Sequence, residues 1–241
     1  MSVGAREGID PESQISAYYQ FVSRAYRCVS LNLEIDGQKF DLQEYKHLVG
    51  IIDDDHPDIV IIKGAQLGLT IAHILKAIDR AIREELRGTL YLFPRERDVT
   101  DFSKARFARI LAENPELGRH VRATDSISIK EIAGTYIYFR AAGTKAGGSV
   151  GSKAGLKSIP IDDLYYDERD EMPDDRVALA DRRLDGSLKP HRTALGTPTV
   201  PGYGVDEQYQ ESDQRTFHHK CANCGGWTCL ELGWPECLVL G

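Results

Sequence analysis

The residues with the clearest chemical potential lie in the stretch IIKGAQLGLT, which runs from Ile61 to Thr70. An apolar run precedes a turn of small residues, and a threonine then opens a segment with helical periodicity. This order is typical of a phosphate-binding loop, in which backbone N–H groups converge on phosphate at a helix N-terminus. The usual spacing G-x-x-x-x-G-K-[ST] places the lysine seventh, beside the β- and γ-phosphates. Here the seventh position is Leu69, and the lysine, Lys63, stands first.

Two interpretations of this loop stay open when it is considered alone. One is a plain strand-to-helix turn with a surface lysine. The other is a phosphate site whose cation has moved to the end of the strand, so that Lys63 reaches back over the phosphates and Thr70 offers a hydroxyl to Mg²⁺. The residues predicted to bind nucleotide in this second interpretation are Lys63, Gly64, Ala65, Gln66, Leu67, Gly68, Leu69 and Thr70.

The stretch LYYDERDEM, from Leu164 to Met172, favours the phosphate site. An apolar strand that ends in Asp-Glu is typical of the second motif of such nucleotide sites, which accompanies the phosphate-binding loop. Asp167 is predicted to hold Mg²⁺ through water, and Glu168 is predicted to orient the water that attacks the γ-phosphate. The alternative is an acidic helix cap after a strand, which is common in isolation.

The elements that must position these groups alternate between strands and helices. The continuous apolar run DIVIIK predicts a strand buried on both faces, and the apolar spacing after the loop predicts a helix. Further strands are predicted in GTLYLFP, IDDLYYDE and RTALGTP, with a hairpin that turns at Ala133-Gly134. Helices are predicted in ISAYYQFVSRAY, FDLQEYKHLVGIIDDDHPD, DFSKARFARILAENP and DDRVALADRRL. This alternation predicts an α/β fold with a mostly parallel sheet and ligands at the carboxyl ends of its strands.

The composition is that of an ordinary globular chain of 241 residues, 41% hydrophobic and 28% charged. This length accommodates one large α/β domain, or one domain with a small appendage. The net charge of −7 excludes a surface that is basic throughout but is compatible with a local basic groove for nucleic acid. No apolar run approaches the roughly 18–20 residues of a membrane span, and no signal-peptide pattern opens the chain. We therefore predict a cytoplasmic protein without membrane contact.

Several further motifs occur in a characteristic order: KGAQLGLT, LYLFPRERDVTDFSKARF, TYIYFRAAG, AGLKSIPIDDLYYDERDEMP, LGTPT and FHHKCANCGG. Together they resemble the large subunit of tailed-phage terminases of the lambda or GpA type, over nearly the whole chain after about residue 35. The resemblance implies a RecA-like P-loop NTPase fold of the ASCE group. It also implies an ATPase motor that moves double-stranded DNA into a procapsid. Several terminases of this type carry the loop lysine at the first position, as Lys63 does.

The resemblance further implies how the chain is divided and what it works with. Residues 1–34 are expected to form a helical extension, residues 35–215 the P-loop ATPase domain, and residues 216–241 a cysteine-containing tail that begins a linker. We expect the family's C-terminal nuclease domain to be absent, so nuclease activity is not carried over. The implied cofactors are ATP and Mg²⁺. The implied partners are double-stranded DNA, further copies of the chain in a ring, the terminase small subunit and the portal protein, all in the host cytoplasm.

Two residue roles come from the resemblance alone. Thr197, within LGTPT, matches a coupling motif in which a strand-end hydroxyl senses the γ-phosphate; the alternative is a proline-ended strand. The adenine-contacting segment is expected near LQEYKHL. Relatives often have a glutamine there, whereas this chain offers Tyr45 for stacking, with Gln43 just upstream.

Ring motors usually need an arginine finger, and the sequence leaves several candidates open. They are Arg140, Lys157, and Arg182 with its neighbour Arg183. The alternative for each is a solvated surface charge. The Gly-rich segment 143–155, with Lys145 and Lys153, is a candidate for contact with the DNA backbone, or else a surface loop without a role.

Four of the five cysteines lie in the last 21 residues. Cys221 and Cys224 form a C-x-x-C pair, which makes them zinc candidates, with His218 and His219 as further ligand candidates. Reduced thiols are the alternative. Cys28 stands alone and is predicted to be a buried apolar residue.

Two other functions compete with the motor. The DERD sequence is similar to the DExD box of superfamily 2 helicases, but such a core needs a second RecA-like domain. A hydrolysis-deficient nucleotide-binding scaffold is favoured by Leu69 and opposed by the presence of both Asp167 and Glu168.

Overall fold

The computed structural model describes residues 11–43, 45–64, 66–122, 126–143, 156, 159–230 and 232–233. Its strands are β1 (Glu34–Ile35), β2 (Gln38–Lys39), β3 (Asp58–Ile62), β4 (Thr89–Phe93), β5 (Val121–Arg122), β6 (Ile129–Ile132), β7 (Thr135–Ala141), β8 (Asp163–Tyr166), β9 (His191–Gly196), β10 (His219–Lys220) and β11 (Trp227–Thr228). Its α-helices are α1 (Pro11–Val22), α2 (Arg24–Ser30), α3 (His47–Asp53), α4 (Leu69–Arg83), α5 (Glu96–Asp101), α6 (Ala108–Glu113), α7 (Pro115–Gly118), α8 (Asp174–Asp181) and α9 (Val205–Gln210).

A seven-stranded sheet organises the described residues, in the order β3-β9-β8-β4-β7-β6-β5. The five strands from β3 to β7 are parallel, while β6 and β5 continue the sheet in antiparallel pairing. The predicted hairpin is confirmed, since β6 and β7 pair around Ala133 and Gly134. The prediction of an α/β fold with a mostly parallel sheet is confirmed.

Alternating side chains of the central strands supply two cores, one on each face of the sheet. In β4, Tyr91 and Phe93 pack in the core that includes α4, whereas Leu90 and Leu92 pack in the core that includes α8. The sheet is thus covered on both faces, which fixes its carboxyl edge as the open side for a ligand.

The prediction that the DIVIIK strand is buried on both faces is wrong. β3 is the edge strand of the sheet in the described residues, paired with β9 alone, and its residues are half-buried or exposed. A groove of about 860 Å³ runs along it, lined by Ile59, Ile61 and Phe217 among others. The apolar run has two causes: Ile61 and Val60 pack partly against the two cores, and the strand also lines this groove.

Two predicted helices also differ from the structure. ISAYYQFVSRAY contains the end of one helix and the start of another, because Ser23 interrupts them and its side chain caps α2 by accepting a hydrogen bond from the Tyr26 N–H. The helix in FDLQEYKHLVGIIDDDHPD is confined to α3, His47–Asp53. The segment DFSKARF contains a π-helical stretch, Phe102–Phe107, between α5 and α6.

A buried polar cluster lies between α4 and the amino ends of β8 and β9. His73, Lys76 and Arg80 of α4 face Asp163 and His191, and all five are 5% exposed or less. The Arg80 Nε atom donates to Asp163 at 2.9 Å. Burial is the main reason why the pKa of His73 falls to about 3 and that of His191 to about 2, with the charge of Lys76 adding to both shifts. Both histidines are therefore neutral in the folded protein at ordinary pH.

Acid is expected to destabilise the fold through these two histidines. Below their usual pKa of about 6.5 the unfolded chain takes up protons that the folded chain does not accept, so stability falls as pH falls, by about 1.4 kcal/mol per pH unit for each histidine. Burial raises the pKa of Asp163 to about 6, so below pH 6 the folded chain binds a proton at Asp163 that the unfolded chain does not yet bind. This gain in stability offsets the loss caused by one of the two histidines. The measurement is the melting temperature between about pH 7 and about pH 5.

The matched control is the double variant His73→Gln and His191→Gln, which removes both histidines and leaves Asp163 in place. Its melting temperature is expected to change less steeply with pH than that of the wild type, whatever its stability at neutral pH. An unchanged slope would contradict the assignment.

Candidate nucleotide-binding site

The carboxyl edge of the sheet brings the predicted residues together. Lys63 follows β3, Asp167 follows β8, and Thr197 follows β9. Lys63 and Asp167 each extend the hydrogen-bond pattern of the sheet by one residue. The Lys63 N–H donates to the Gly196 carbonyl at 3.0 Å, and the Asp167 N–H donates to the Leu92 carbonyl at 3.0 Å. These side chains therefore start from rigid backbone.

The loop between β3 and α4 has the backbone that phosphate binding requires. Gly68 caps α4 with a φ of 75°, and no side chain satisfies the N-terminal N–H groups of the helix from this cap position. A Cβ added at Gly68 would lie 3.1 Å from Leu48, so both conformation and space favour glycine there. Gln66 has a φ of 60°. The free N–H groups of a 15-residue helix form a favourable site for an anion. The predicted contact Ala65 lies outside the described residues.

Leu69 explains why the lysine is not at its usual position. Its side chain is 5% exposed and belongs to the core that packs α4 against the sheet. A lysine there would place an ammonium group in apolar surroundings, at a high desolvation cost. Thr70, the next residue, is half-buried at the first turn of α4.

The Lys63 ammonium bridges both carboxylates of the Asp-Glu pair. Its Nζ lies 2.5 Å from Asp167 Oδ1 and 2.8 Å from Glu168 Oε1. Burial lowers the pKa of Lys63, but the charges and hydrogen bonds of Asp167 and Glu168 outweigh burial, and the net shift is upward. Lys63 therefore stays charged, at the point where the phosphate loop meets the two carboxylates.

Glu168 has a strained backbone. Its φ of 61° and ψ of 55° are left-handed, in a residue that has a Cβ. Such conformations cost on the order of 1–3 kcal/mol and persist where surrounding structure enforces them, most often at functional sites. The side chain is about two-fifths exposed, compared with 14% for Asp167, so it is the more accessible carboxylate.

Thr197 contacts the backbone of the phosphate loop. Its Oγ1 donates to the Lys63 carbonyl oxygen at 3.2 Å, which links the end of β9 to the end of β3. The side chain is exposed. This geometry is compatible with the predicted role of a strand-end hydroxyl, which stays a prediction.

A row of rings lies beside the phosphate loop. Tyr45 is 6.2 Å from His47, His47 is 5.7 Å from Phe217, and Phe217 is 4.8 Å from His219, measured between ring centroids. The His47 Nε2 forms a 2.9 Å hydrogen bond with the Leu67 carbonyl. Tyr45 is among the residues predicted from the sequence, whereas His47 and Phe217 are not. His47 lies within the LQEYKHL segment, whereas Phe217 is brought in by tertiary folding alone.

The arginine-finger candidates have different environments. Arg140 is half-buried, and its Nη1 donates to the carbonyls of Ser128 at 2.7 Å and Phe139 at 2.8 Å. Arg140 is therefore held by hydrogen bonds within its own chain. Arg182 lies exposed just after α8. Lys157, Lys145 and Lys153 lie outside the described residues.

The predicted zinc site gains no support. Cys221 and Cys224 lie around the turn between β10 and β11, and hydrogen bonds from the backbone of Cys224 lower the pKa of the Cys221 thiol. Within the described residues, however, no group of three or more His, Cys, Asp or Glu side chains is arranged to hold a metal. Cys237 falls outside them. Cys28 is buried as predicted, and burial raises its pKa to about 12.

None of the helices in the described ranges is both long and apolar enough to cross a bilayer.

Comparison with known structures shows the same architecture elsewhere. The large terminase of bacteriophage HK97 matches with a TM-score of 0.59 and 13% identity, over 80% of this chain and 42% of that protein. The large terminase of a thermophilic bacteriophage matches with a TM-score of 0.52 and 17% identity, over 72% of this chain and 43% of that protein. This chain therefore spans less than half the length of either terminase. A search of curated proteins finds no match.

The family comparison is more specific. The model of the ATPase domain of the phage terminase large subunit gpA matches residues 48–238, well over half of the chain. This match crosses the predicted boundary at residues 215 and 216, and the division into extension, domain and tail stays a prediction. The RecA-like P-loop fold is confirmed, and the helicase-like and scaffold alternatives are not favoured. The chain belongs to the family of phage terminase large subunit gpA ATPase domains.

Proposed function

We propose that this chain hydrolyses ATP at the carboxyl edge of its sheet and drives translocation of double-stranded DNA into a procapsid. The observation that carries the proposal is the position of Lys63, whose ammonium lies within hydrogen-bond distance of both Asp167 and Glu168 beside the phosphate loop. Family membership supports the activity. Both matched structures are large terminases of bacteriophages, which supports the assignment to a terminase motor.

Phosphate binding rests on the backbone of residues 64–70 and on one cation. The N-terminal N–H groups of α4 would hold the β- and γ-phosphates, and Lys63 would neutralise their charge. Lys63 is held by two carboxylates at the end of β3, where the phosphate loop begins. Removing Lys63 would leave the phosphates without this charge, since Leu69 packs in the core.

Asp167 and Thr70 carry the kinds of oxygen donor that a magnesium ion arriving with the nucleotide would need. Mg²⁺ in such sites is bound through one or two carboxylates together with substrate phosphates and water. Asp167 and Thr70 would supply the protein oxygens, and the ion would neutralise charge that develops on the phosphates.

Glu168 would orient the attacking water. It is the more exposed of the two carboxylates, and its strained backbone fixes where its side chain begins. In the nucleotide-bound state the phosphate oxygens would replace Glu168 as partners of the Lys63 ammonium. Glu168 Oε1 would then be free to accept a hydrogen bond from water. Thr197, through its bond to the Lys63 carbonyl, would respond to movement of the loop.

The nucleobase would lie against the ring row of Tyr45, His47 and Phe217. Tyr45 is more than one-third exposed, as is Phe217, so both rings are accessible for stacking. Stacking on aromatic rings tolerates every base, since each base has a π-face. We therefore propose weak selectivity for adenine at this row.

The remaining partners belong to the same proposal. They are further copies of the chain in a ring, the terminase small subunit and the portal protein, in the host cytoplasm. A neighbouring copy would supply the arginine finger, with Arg182, Arg140 and Lys157 as candidates.

The test is release of phosphate from ATP, with Mg²⁺, in the presence and absence of linear duplex DNA. We expect hydrolysis that EDTA abolishes and that DNA stimulates, with GTP accepted at a comparable rate. Equilibrium binding of ATP with Mg²⁺ is measured alongside, because ring motors complete their sites between neighbours. A chain that neither binds nor hydrolyses the nucleotide would refute the proposal.

A further inference from the structure

One buried carboxylate joins the segment that carries Glu168 to the loop between β9 and α9. Asp170 lies two residues after Glu168 and is 4% exposed. Its Oδ2 accepts hydrogen bonds from the Thr199 N–H at 3.0 Å and the Thr199 hydroxyl at 3.2 Å. Its Oδ1 accepts one from the Val205 N–H at 2.8 Å. Asp170 thus holds the loop near its beginning and at its end.

The glycines that flank this loop permit the close approach. Gly204 has a φ of 63°, and an added Cβ would lie 2.2 Å from Asp170 Oδ1. A Cβ on Gly196, at the end of β9, would lie 3.0 Å from a methyl group of Val205. A side chain at either position would push the loop away from Asp170.

The same loop also contacts the phosphate loop at its other side. Thr197 donates to the Lys63 carbonyl, and Thr199, two residues later, donates to Asp170. A path of hydrogen bonds and backbone bonds therefore runs from Lys63 through residues 197–199 to Asp170, and from Asp170 along the backbone to Glu168. This path is separate from the direct ion pair between Lys63 and Glu168.

We propose that Asp170 is a positioning residue that couples residues 197–205 to Glu168, so that a nucleotide-dependent shift of the phosphate loop is passed to Glu168. The inference rests on the function proposed above. Hydrogen bonds to an ionised carboxylate are shorter and stronger than neutral ones, and three of them on one buried side chain make a stiff connection. A stiff neighbour is also what a left-handed residue such as Glu168 requires.

The kinetic test compares Asp170→Asn with Asp185→Asn, which makes the same change at an exposed position. In Asp170→Asn an amide NH₂ replaces one of the acceptor oxygens and faces an N–H donor. We expect kcat to fall roughly 10- to 100-fold, as for other residues that orient an active group, while KM and nucleotide affinity change less than about threefold. Asp185→Asn is expected to behave as the wild type.

Variants of Thr199 refine this test. Thr199→Ser keeps both donors to Asp170 and is expected to retain kcat, whereas Thr199→Val loses the hydroxyl and is expected to lie between the wild type and Asp170→Asn. A loss of nucleotide affinity equal to the loss of kcat in Asp170→Asn would indicate a merely structural role and overturn the proposal.

Hydrogen–deuterium exchange separates this proposal from the proposed activity, because it needs no turnover. In the wild type the amides of Thr199 and Val205 are expected to be protected, and ATP with Mg²⁺ is expected to alter exchange in residues 61–70 and 167–172 together. In Asp170→Asn both amides are expected to exchange faster. Addition of ATP with Mg²⁺ is expected to change exchange in residues 61–70 but no longer in residues 167–172. Unchanged protection, or an unchanged response of residues 167–172, overturns the role of Asp170. A wild type that binds ATP and shows this response without hydrolysing it refutes the activity alone.

Discussion

Replacing Glu168 with glutamine is expected to slow single-turnover ATP hydrolysis by at least roughly 10²-fold, the usual scale for a lost acid–base or water-positioning group. Glutamine keeps the size of the side chain but lacks the negative charge that, in the proposed mechanism, would hold the attacking water. Binding of ATP with Mg²⁺ is expected to stay as strong or to become stronger, because one of the two carboxylates that hold Lys63 has lost its charge. Rapid-quench kinetics at saturating ATP, with binding measured separately, gives both quantities.

The matched control is Glu171→Gln, the same change three residues along the chain. Glu171 forms an ion pair with Arg95 at 2.6 Å and is the last residue of the short 3-10 helix formed by residues 169–171. Its variant is expected to hydrolyse ATP normally. A collapse of binding together with hydrolysis in Glu168→Gln would identify Glu168 as a metal-binding or structural residue instead.

Replacing Lys63 with alanine is expected to abolish hydrolysis and to weaken nucleotide binding. A charge-assisted hydrogen bond contributes about 1.5–3 kcal/mol, which corresponds to roughly 10- to 150-fold in affinity. The variant also leaves Asp167 and Glu168 side by side without their cation, so like-charge repulsion adds to the loss at the phosphate position. Titration with a fluorescent ATP analogue and phosphate release are the measurements.

Leu69→Lys provides the complementary control, since it restores the usual loop lysine. In the Lys63→Ala background it is not expected to rescue activity, because the Leu69 side chain points into the core and not toward the loop opening. In the wild-type background it is expected to lower the melting temperature. Near-normal turnover of Lys63→Ala would show that the cation comes from elsewhere.

The sequence was informative where a function depends on consecutive residues. Lys63, Gly68, Asp167 and Glu168 stand in local motifs at strand ends, and the structure brings Lys63 into contact with both carboxylates. The order of strands and helices also follows local periodicity, which is why most elements were predicted. Periodicity does not report sheet position, so the sequence predicts an interior strand where the structure has the edge strand β3.

Other features depend on contacts between distant segments, and no local pattern reveals them. Phe217 reaches His47 across the fold, and Asp170 is recognisable as a connecting residue through the donors of Thr199 and Val205. The burial of Leu69 accounts for the displaced lysine, but a leucine at the start of a helix carries no signal of which way it points. These residues were either missed or left without a physical explanation until the fold was known.

The bridge between Lys63 and the two carboxylates has a consequence for the release of product. Both carboxylates form ion pairs with the ammonium, so they would compete with an incoming phosphate for it. A triphosphate bound with its metal ion would offer more contacts to displace them than a diphosphate, which would compete less well. Re-formation of the bridge would then favour departure of ADP, so within the proposed cycle product inhibition is expected to be weak. It would become stronger when Glu168 loses its charge.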